Sequence, residues 1–242
     1  MVTDTWTVIW KEMKLLLEGN NKARFFPLIF LLIFGVVLPL QTGLPWLDLP
    51  LGLAFWVVIP LALVASWVAD SFAGERERHT LETLLASRLS DQSILFGKLI
   101  AGAGHAWGMA LLAMVLGLVT VNLASWQGAV RLYTPAVGLG GVGVSFLTAT
   151  LVANAGVLVS LRAPTVRQAQ QIVGIGVMIV VWLPVLLLSF LPVQWRLAMA
   201  SSLGSADLTQ SALVTAALLF LLDVTLLAVV MRRFQRTRLI LD

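Results

Sequence analysis

Apolar runs of roughly 16 to 27 residues, about what a ~30 Å hydrocarbon core requires of a helix, recur along the whole chain with short polar breaks between them. The pattern predicts six spanning helices, near Phe25–Leu40, Leu49–Val68, Lys98–Val121, Pro135–Leu161, Gln171–Leu191 and Ser211–Met231. The first is short for a bilayer, so thinning or snorkelling at Lys22 and Arg24 is expected to complete it. Ahead of it, Trp6, Ile9, Trp10, Met13, Leu16 and Leu17 share one helical face while Lys11, Lys14 and Glu18 fall elsewhere. That arrangement suits an amphipathic helix lying along the inner leaflet, or one packed on protein. Pro60 and Pro184 mark expected kinks within spans. Between the fifth and sixth spans, PVQWRLAMASSLGSADLTQ is semi-polar, as short interfacial helices or a plain loop would be.

One polar break is different. Ala69–Leu99, ADSFAGERERHTLETLLASRLSDQSILFGKL, gathers nine of the sixteen basic and twelve acidic residues of the chain. Gly74 is expected to end the second helix. Thr80 stands where an N-cap belongs, with Glu82 in the first turn, where a helix dipole favours an acid. Leu81, Leu84 and Leu85 follow as an apolar stripe, and Ser90 before Asp91 signals a second N-cap leading into the third span. The stretch reads as a cytoplasmic helical hairpin, charges outward and leucines against the membrane domain or a partner. A bare connection needs only a few residues, so this length favours a docking element.

Composition agrees with the pattern. Of 242 residues, 59% are hydrophobic and only 12% charged, where soluble domains carry about a quarter charged residues. No cysteine is present, which excludes disulfides and thiolate metal sites. The opening residues carry Asp4, Lys11, Glu12 and Lys14 and do not read as a cleavable leader. Of the sixteen Lys and Arg, all but Arg131 and Arg196 fall on one side of the six-span topology. This bias places both termini in the cytoplasm, and sets Trp46, Trp126, Tyr133 and Trp195 at the outer boundary as an aromatic belt. The basic residues are spread over segment ends, not gathered in a patch, so topology explains them better than nucleic acid does.

Catalytic chemistry is not visible. Gly97-Lys98 lacks the opening glycine and closing Ser/Thr of a phosphate loop. His79 and His105 lack the spacing of a zinc helix, and neither a nucleophile elbow nor a pair of intramembrane carboxylates occurs. Asp223 lies within the sixth span, in LLFLLDVTLLAVV. Its insertion costs about 2.5–3.5 kcal/mol, which the surrounding leucines and valines outweigh, and it should face protein or water. His105 lies at comparable depth in the third span. The two could pair or line a polar path, with Asn154 and Thr148 as further polar positions, or each could simply hydrogen-bond across helices. Gly104, Gly108 and the run Gly138–Gly143 are expected to permit close helix contact.

The segment AGERERHTLETLLASRLS followed by ILFGK resembles the ABC-2 family of ABC-transporter permeases. The matching positions are Ala73, Gly74, Glu75, Glu77, Arg78, Thr80, Leu81, Glu82, Leu84, Leu85, Ser87, Ser90 and Lys98. His79 stands where the family often has glycine, a departure expected to matter little. The resemblance implies an all-α membrane fold: one transmembrane domain over residues 1–242, with an interfacial helix over 1–24, six spans, and a coupling segment over 69–98. It implies a permease subunit in the plasma membrane, paired with an identical or paralogous second subunit and exporting a hydrophobic or amphipathic substrate. Two copies of a separate ATPase would supply ATP and Mg, docking on Gly74, Glu75, Arg76, Glu77, Arg78, Thr80, Leu81, Glu82, Leu84 and Leu85. His105, Asn154 and Asp223 are candidates for the translocation path. Two rival readings are an ion-coupled secondary transporter relaying through Asp223 and His105, and a subunit of a maturation or assembly complex.

Overall fold

The computed structural model describes residues 2–18, 21–48, 51–197 and 208–234. Among them the chain is helical, with no strand. Helix α1 spans Val2–Glu18, α2 Asn21–Leu32, α3 Leu38–Thr42, α4 Leu51–Glu77 and α5 Leu81–Ala86. The long helices follow: α6 Asp91–Ala124, α7 Pro135–Arg162, α8 Val166–Phe190 and α9 Leu208–Arg233. Helices stand at each of the six places where the apolar pattern put one. Asp91–Ala124, Pro135–Arg162, Val166–Phe190 and Thr209–Arg233 are long and apolar enough to cross a membrane. The two N-terminal stretches carry shorter apolar helical runs among the described residues, Pro27–Thr42 and Phe55–Val64.

Helices α2 and α3 are joined by a π-helical turn, Ile33–Val37. Its origin lies in Pro39, which has no N–H to give the carbonyl four residues back. That carbonyl, on Gly35, accepts instead from the Thr120 hydroxyl of α6 at 2.8 Å. An orphaned backbone group inside an apolar environment thereby becomes a bond between helices. Pro60 and Pro184 lie within α4 and α8 as expected, and both helices continue past them.

The core forms where α4, α6 and α7 meet. Trp56, Ile59, Val64, Val68, Ile94, Val121 and Val157 are all sealed from solvent there. Trp46 belongs to this core at 1% exposure rather than to an aromatic belt. Its ring stacks on Phe55 at 5.5 Å and meets Trp56 edge-on at 5.8 Å. Tyr133 also turns inward, donating its hydroxyl to Met114 O at 2.9 Å, whereas Trp126 and Trp195 stay exposed. By contrast, α8 and α9 present long exposed apolar faces that include Ile175, Met178, Leu187, Leu218 and Leu222. In the stretch expected to form interfacial helices or a loop between these two, residues 193–197 are helical and 198–207 lie outside the described residues.

Of the two alternatives for helix α1, the structure shows packing on protein. Val8 and Glu12 are buried against α6, while Trp6 and Trp10 on the opposite side remain 67% and 61% exposed. The side chains of Leu16, Leu17 and Glu18 lie outside the described residues. Contact is close because residue 97 has no side chain: a Cβ there would sit 2.5 Å from Val8 Cβ. The glycines expected to permit close packing do so only in part. A methyl on Gly141 would meet Trp56 at 2.8 Å, but one on Gly104, Gly108 or Gly143 would meet nothing within 4 Å. Those three sit on outward faces, a distinction that glycine spacing alone does not carry. Gly97→Ala is therefore expected to weaken α1 docking by about 1–3 kcal/mol. Gly104→Ala should leave stability unchanged or raise it by up to about 1 kcal/mol. Thermal unfolding of the purified chain in detergent reads both.

Candidate functional site

The charged break is built differently from its sequence pattern. Gly74 does not end the second helix; α4 runs through it to Glu77. The stop comes at His79, whose φ is 56°. Thr80 N–H donates to Glu75 O at 2.9 Å and His79 N–H to Arg76 O at 3.0 Å. These two bonds and the left-handed residue between them make a Schellman cap, whose left-handed position favours glycine. His79 holds this conformation at some cost, although histidine tolerates the region better than most residues. Thr80 occupies the N-cap position of α5 but makes no capping bond with its side chain. Its hydroxyl is bound to the Glu75 carboxylate instead. Ser90 does cap α6, accepting from Ser93 N–H at 3.2 Å.

Three consecutive motif residues point in three directions. Glu75 turns inward and is 5% exposed. It meets the fully buried Lys98 of α6, whose Nζ donates to Glu12 Oε1 at 2.6 Å and to Ser71 O at 2.8 Å. The same ammonium lies 3.6 Å from Glu75 Oε1 and 5.3 Å from the centre of the Phe72 ring. Lys11 of α1 closes the cluster with a 2.9 Å bond to Glu75 Oε1. Two acids and two bases from α1, α4 and α6 therefore balance in one cluster, with Glu12, Glu75 and Lys98 buried and Lys11 at its solvent edge.

Arg76 forks onto α7, donating from Nη1 to Ala163 O at 2.6 Å and from Nη2 to Leu161 O at 2.9 Å. Those carbonyls belong to the last turn of α7 and its C-cap, the negative end of the helix dipole. Glu77 does the converse for α8, accepting from Val166 N–H at 3.2 Å. Adjacent residues of opposite sign thus hold opposite poles of two successive helices. Ser160 reinforces the joint by accepting from Phe72 N–H at 3.0 Å and Ala73 N–H at 2.9 Å.

What remains outward is narrower than the motif. Leu81 is buried and Leu84 half-buried against the chain's own core, so neither is available as a partner anchor. The side chain of Leu85 lies outside the described residues. Arg78, His79, Thr80, Glu82, Thr83 and Arg88 are exposed.

Within the helical domain, Asp223 of α9 is 8% exposed and meets α7. Thr150 Oγ1 donates to its Oδ2 at 2.7 Å and Asn154 Nδ2 to its Oδ1 at 3.2 Å. Asn154, one of the further polar positions, thus bonds Asp223 across helices, and Thr150 joins it. His105 does not: it is half-buried in α6, with no hydrogen bond or ion pair to Asp223. Thr148 bonds within its own helix, to Val144 O. Among the described residues no His, Asp or Glu group is arranged to hold a metal ion.

The residues that sequence reasoning missed are Glu12, Lys11, Ser71, Ser160 and Thr150 in these roles, with Lys98 noted only as a span edge and a matching position. The available signal was charge: Glu12 is an acid on a helix of interfacial type, and Lys98 opens an apolar run. No protein-family model matches the chain, and no curated protein is significantly similar to it.

Burial would raise the Glu75 carboxyl, but the Thr80 hydroxyl and the Lys98 and Lys11 ammonium groups outweigh it. They hold Glu75 at about 2, against an ordinary 4.5. A carboxyl depressed by folding contributes stability that is complete above its unfolded value and is lost as pH falls through its folded one. Amide exchange over residues 75–90 should therefore stay slow down to about pH 4.5 and rise as the pH approaches 2. In Thr80→Val the rise should begin at higher pH.

Proposed function

We propose that the chain is the membrane-spanning subunit of an ATP-driven transporter of the ABC-2 type. In this reading it crosses the plasma membrane six times with both termini cytoplasmic, and exports a hydrophobic or amphipathic substrate. Separate ATPase subunits, two per assembly, carry ATP and Mg and dock on the α4–α5–α6 hairpin. A second permease copy, identical or paralogous, packs on apolar surface of the kind α8 and α9 expose.

The observation that carries the reading is the wiring of the hairpin. A force applied to α5 has stiff paths to four long helices. Through the Schellman cap it reaches α4, and through Ser90 the continuous helix α6. Through Arg76 and Glu77 it reaches the facing ends of α7 and α8. A loop that merely closed two spans would need none of these bonds. The division of labour within the motif follows: Gly74, Glu75, Arg76, Glu77, Leu81 and Leu84 set the hairpin, while Arg78, Thr80 and Glu82 offer the polar surface on which an ATPase would dock. Charged rims of this kind steer association and fix register.

A second reading has one observation in its favour. The Asp223–Thr150–Asn154 cluster sets a carboxylate within the helical domain, as an ion-coupled carrier would require. Such a carrier would keep working after ATP depletion and stop when the ion gradient is collapsed. The ATP-driven reading expects the reverse.

The double charge reversal Arg78→Glu/Glu82→Lys tests the docking surface. It should leave thermal stability within about 0.5 kcal/mol of the parent, as exposed substitutions usually do. It should also abolish co-purification with the ATPase subunit and ATP-dependent transport in vesicles. Full retention of both activities would remove the hairpin from the coupling role.

A further inference from the structure

A cavity of about 320 Å³ opens between the cytoplasmic ends of α7 and α8, lined by Leu158, Val159, Arg162, Ala163, Gln168 and Ile172. Its size falls within the range of small-molecule sites. Its walls divide by chemistry: Leu158, Val159 and Ile172 are apolar, while Arg162 and Gln168 are polar. Arg162 is exposed, and among the described residues its guanidinium carries no hydrogen bond or ion pair. Glu77, bonded to Val166 N–H at the start of α8, makes no ion pair with it among the described residues. The positive-inside bias sets this end of α7 at the inner leaflet. A cation unpaired among the described residues, above an apolar cleft at that depth, matches an amphiphile with an anionic head and hydrocarbon tails. Basic pockets between helices on the cytoplasmic side take lipid head groups in this way, with the bidentate fork of arginine suited to phosphate oxygens.

We propose that this cavity seats an anionic phospholipid of the inner leaflet, its phosphate on Arg162 and its upper acyl chain against Leu158, Val159 and Ile172. The seat adjoins the hairpin, because the backbone of Ala163 lines the cavity and its carbonyl receives Arg76. The proposal rests on the membrane orientation alone and stands whether or not an ATPase is the partner.

Native mass spectrometry of the full chain, released from nanodiscs of phosphatidylcholine doped with phosphatidylglycerol, tests it. The chain should retain phosphatidylglycerol in preference to phosphatidylcholine, and Arg162→Gln should lower that retention about fivefold. Ile172→Trp, which fills the cavity and leaves every charge in place, should lower it similarly. Arg167→Gln, an exposed arginine nearby that does not line the cavity, should not. An equal loss in Arg167→Gln would show diffuse surface attraction and overturn the site. So would unchanged retention in both Arg162→Gln and Ile172→Trp. Displacement of the lipid by inorganic phosphate at millimolar concentration would reassign the cavity to a soluble anion.

Discussion

An ammonium group sealed from water dictates the arrangement around it. Lys98 sits in α6 at 1% exposure, within an apolar domain where an uncompensated charge costs several kcal/mol. The nearest compensation within its own helix is remote, so it comes from elsewhere: Glu12 of α1, Glu75 and Ser71 O of α4, and the face of Phe72. Satisfying one cation therefore fixes the N-terminal helix and the end of α4 against α6. Replacing such a cluster by apolar side chains is often neutral in stability, and its value is better sought in specificity. Here it holds three elements in one register at the point where the chain leaves the core.

The hairpin inherits its geometry from that point. With Glu75 drawn inward, helical periodicity sends Arg76 and Glu77 to the ends of α7 and α8. The Schellman cap at His79 then turns the chain so that Arg78, Glu82 and Arg88 face outward. The charged residues that looked like one patch are thus two sets. One set is internal wiring. The other is an exposed rim adjacent to it. Under the proposed docking role, a partner on that rim would act on helices it does not touch, provided the joint has two arrangements of similar energy.

The helices were legible because long apolar runs have few alternatives, and their centres fell where the pattern put them. Their ends were less so. Hydropathy marks where lipid would stop, not where hydrogen bonding stops, so α6 begins at Asp91, ahead of the apolar span at Lys98 and where the Ser90 signal put its cap. Gly74 misled for a related reason: it is a weak breaker inside a well-packed helix, whereas His79 ended α4 in a conformation that only glycine advertises in sequence. The capping of α6 by Ser90 was legible, being a local event. The partners of Lys98, the fork of Arg76 and the inward turn of Trp46 were not, because each is settled by contacts across long sequence separations. Asp223 was recognisable as needing a partner, and Asn154 was among its candidates. The helix-to-helix register that excluded His105 left no trace in the spacing.

One charge cluster centred on Lys98 holds the N-terminal helix, α4 and the hairpin together, and a double-mutant cycle between Lys98 and Glu12 tests this most directly. Lys98→Met alone should cost about 3–5 kcal/mol by leaving Glu12 buried without its cation and Glu75 with Lys11 alone. It should also accelerate amide exchange in α1 and over residues 75–90 together. Adding Glu12→Met should recover part of the loss, with a coupling energy of at least about 1 kcal/mol. Additive effects of the two substitutions, with exchange in the hairpin unaltered by Lys98→Met, would contradict the account.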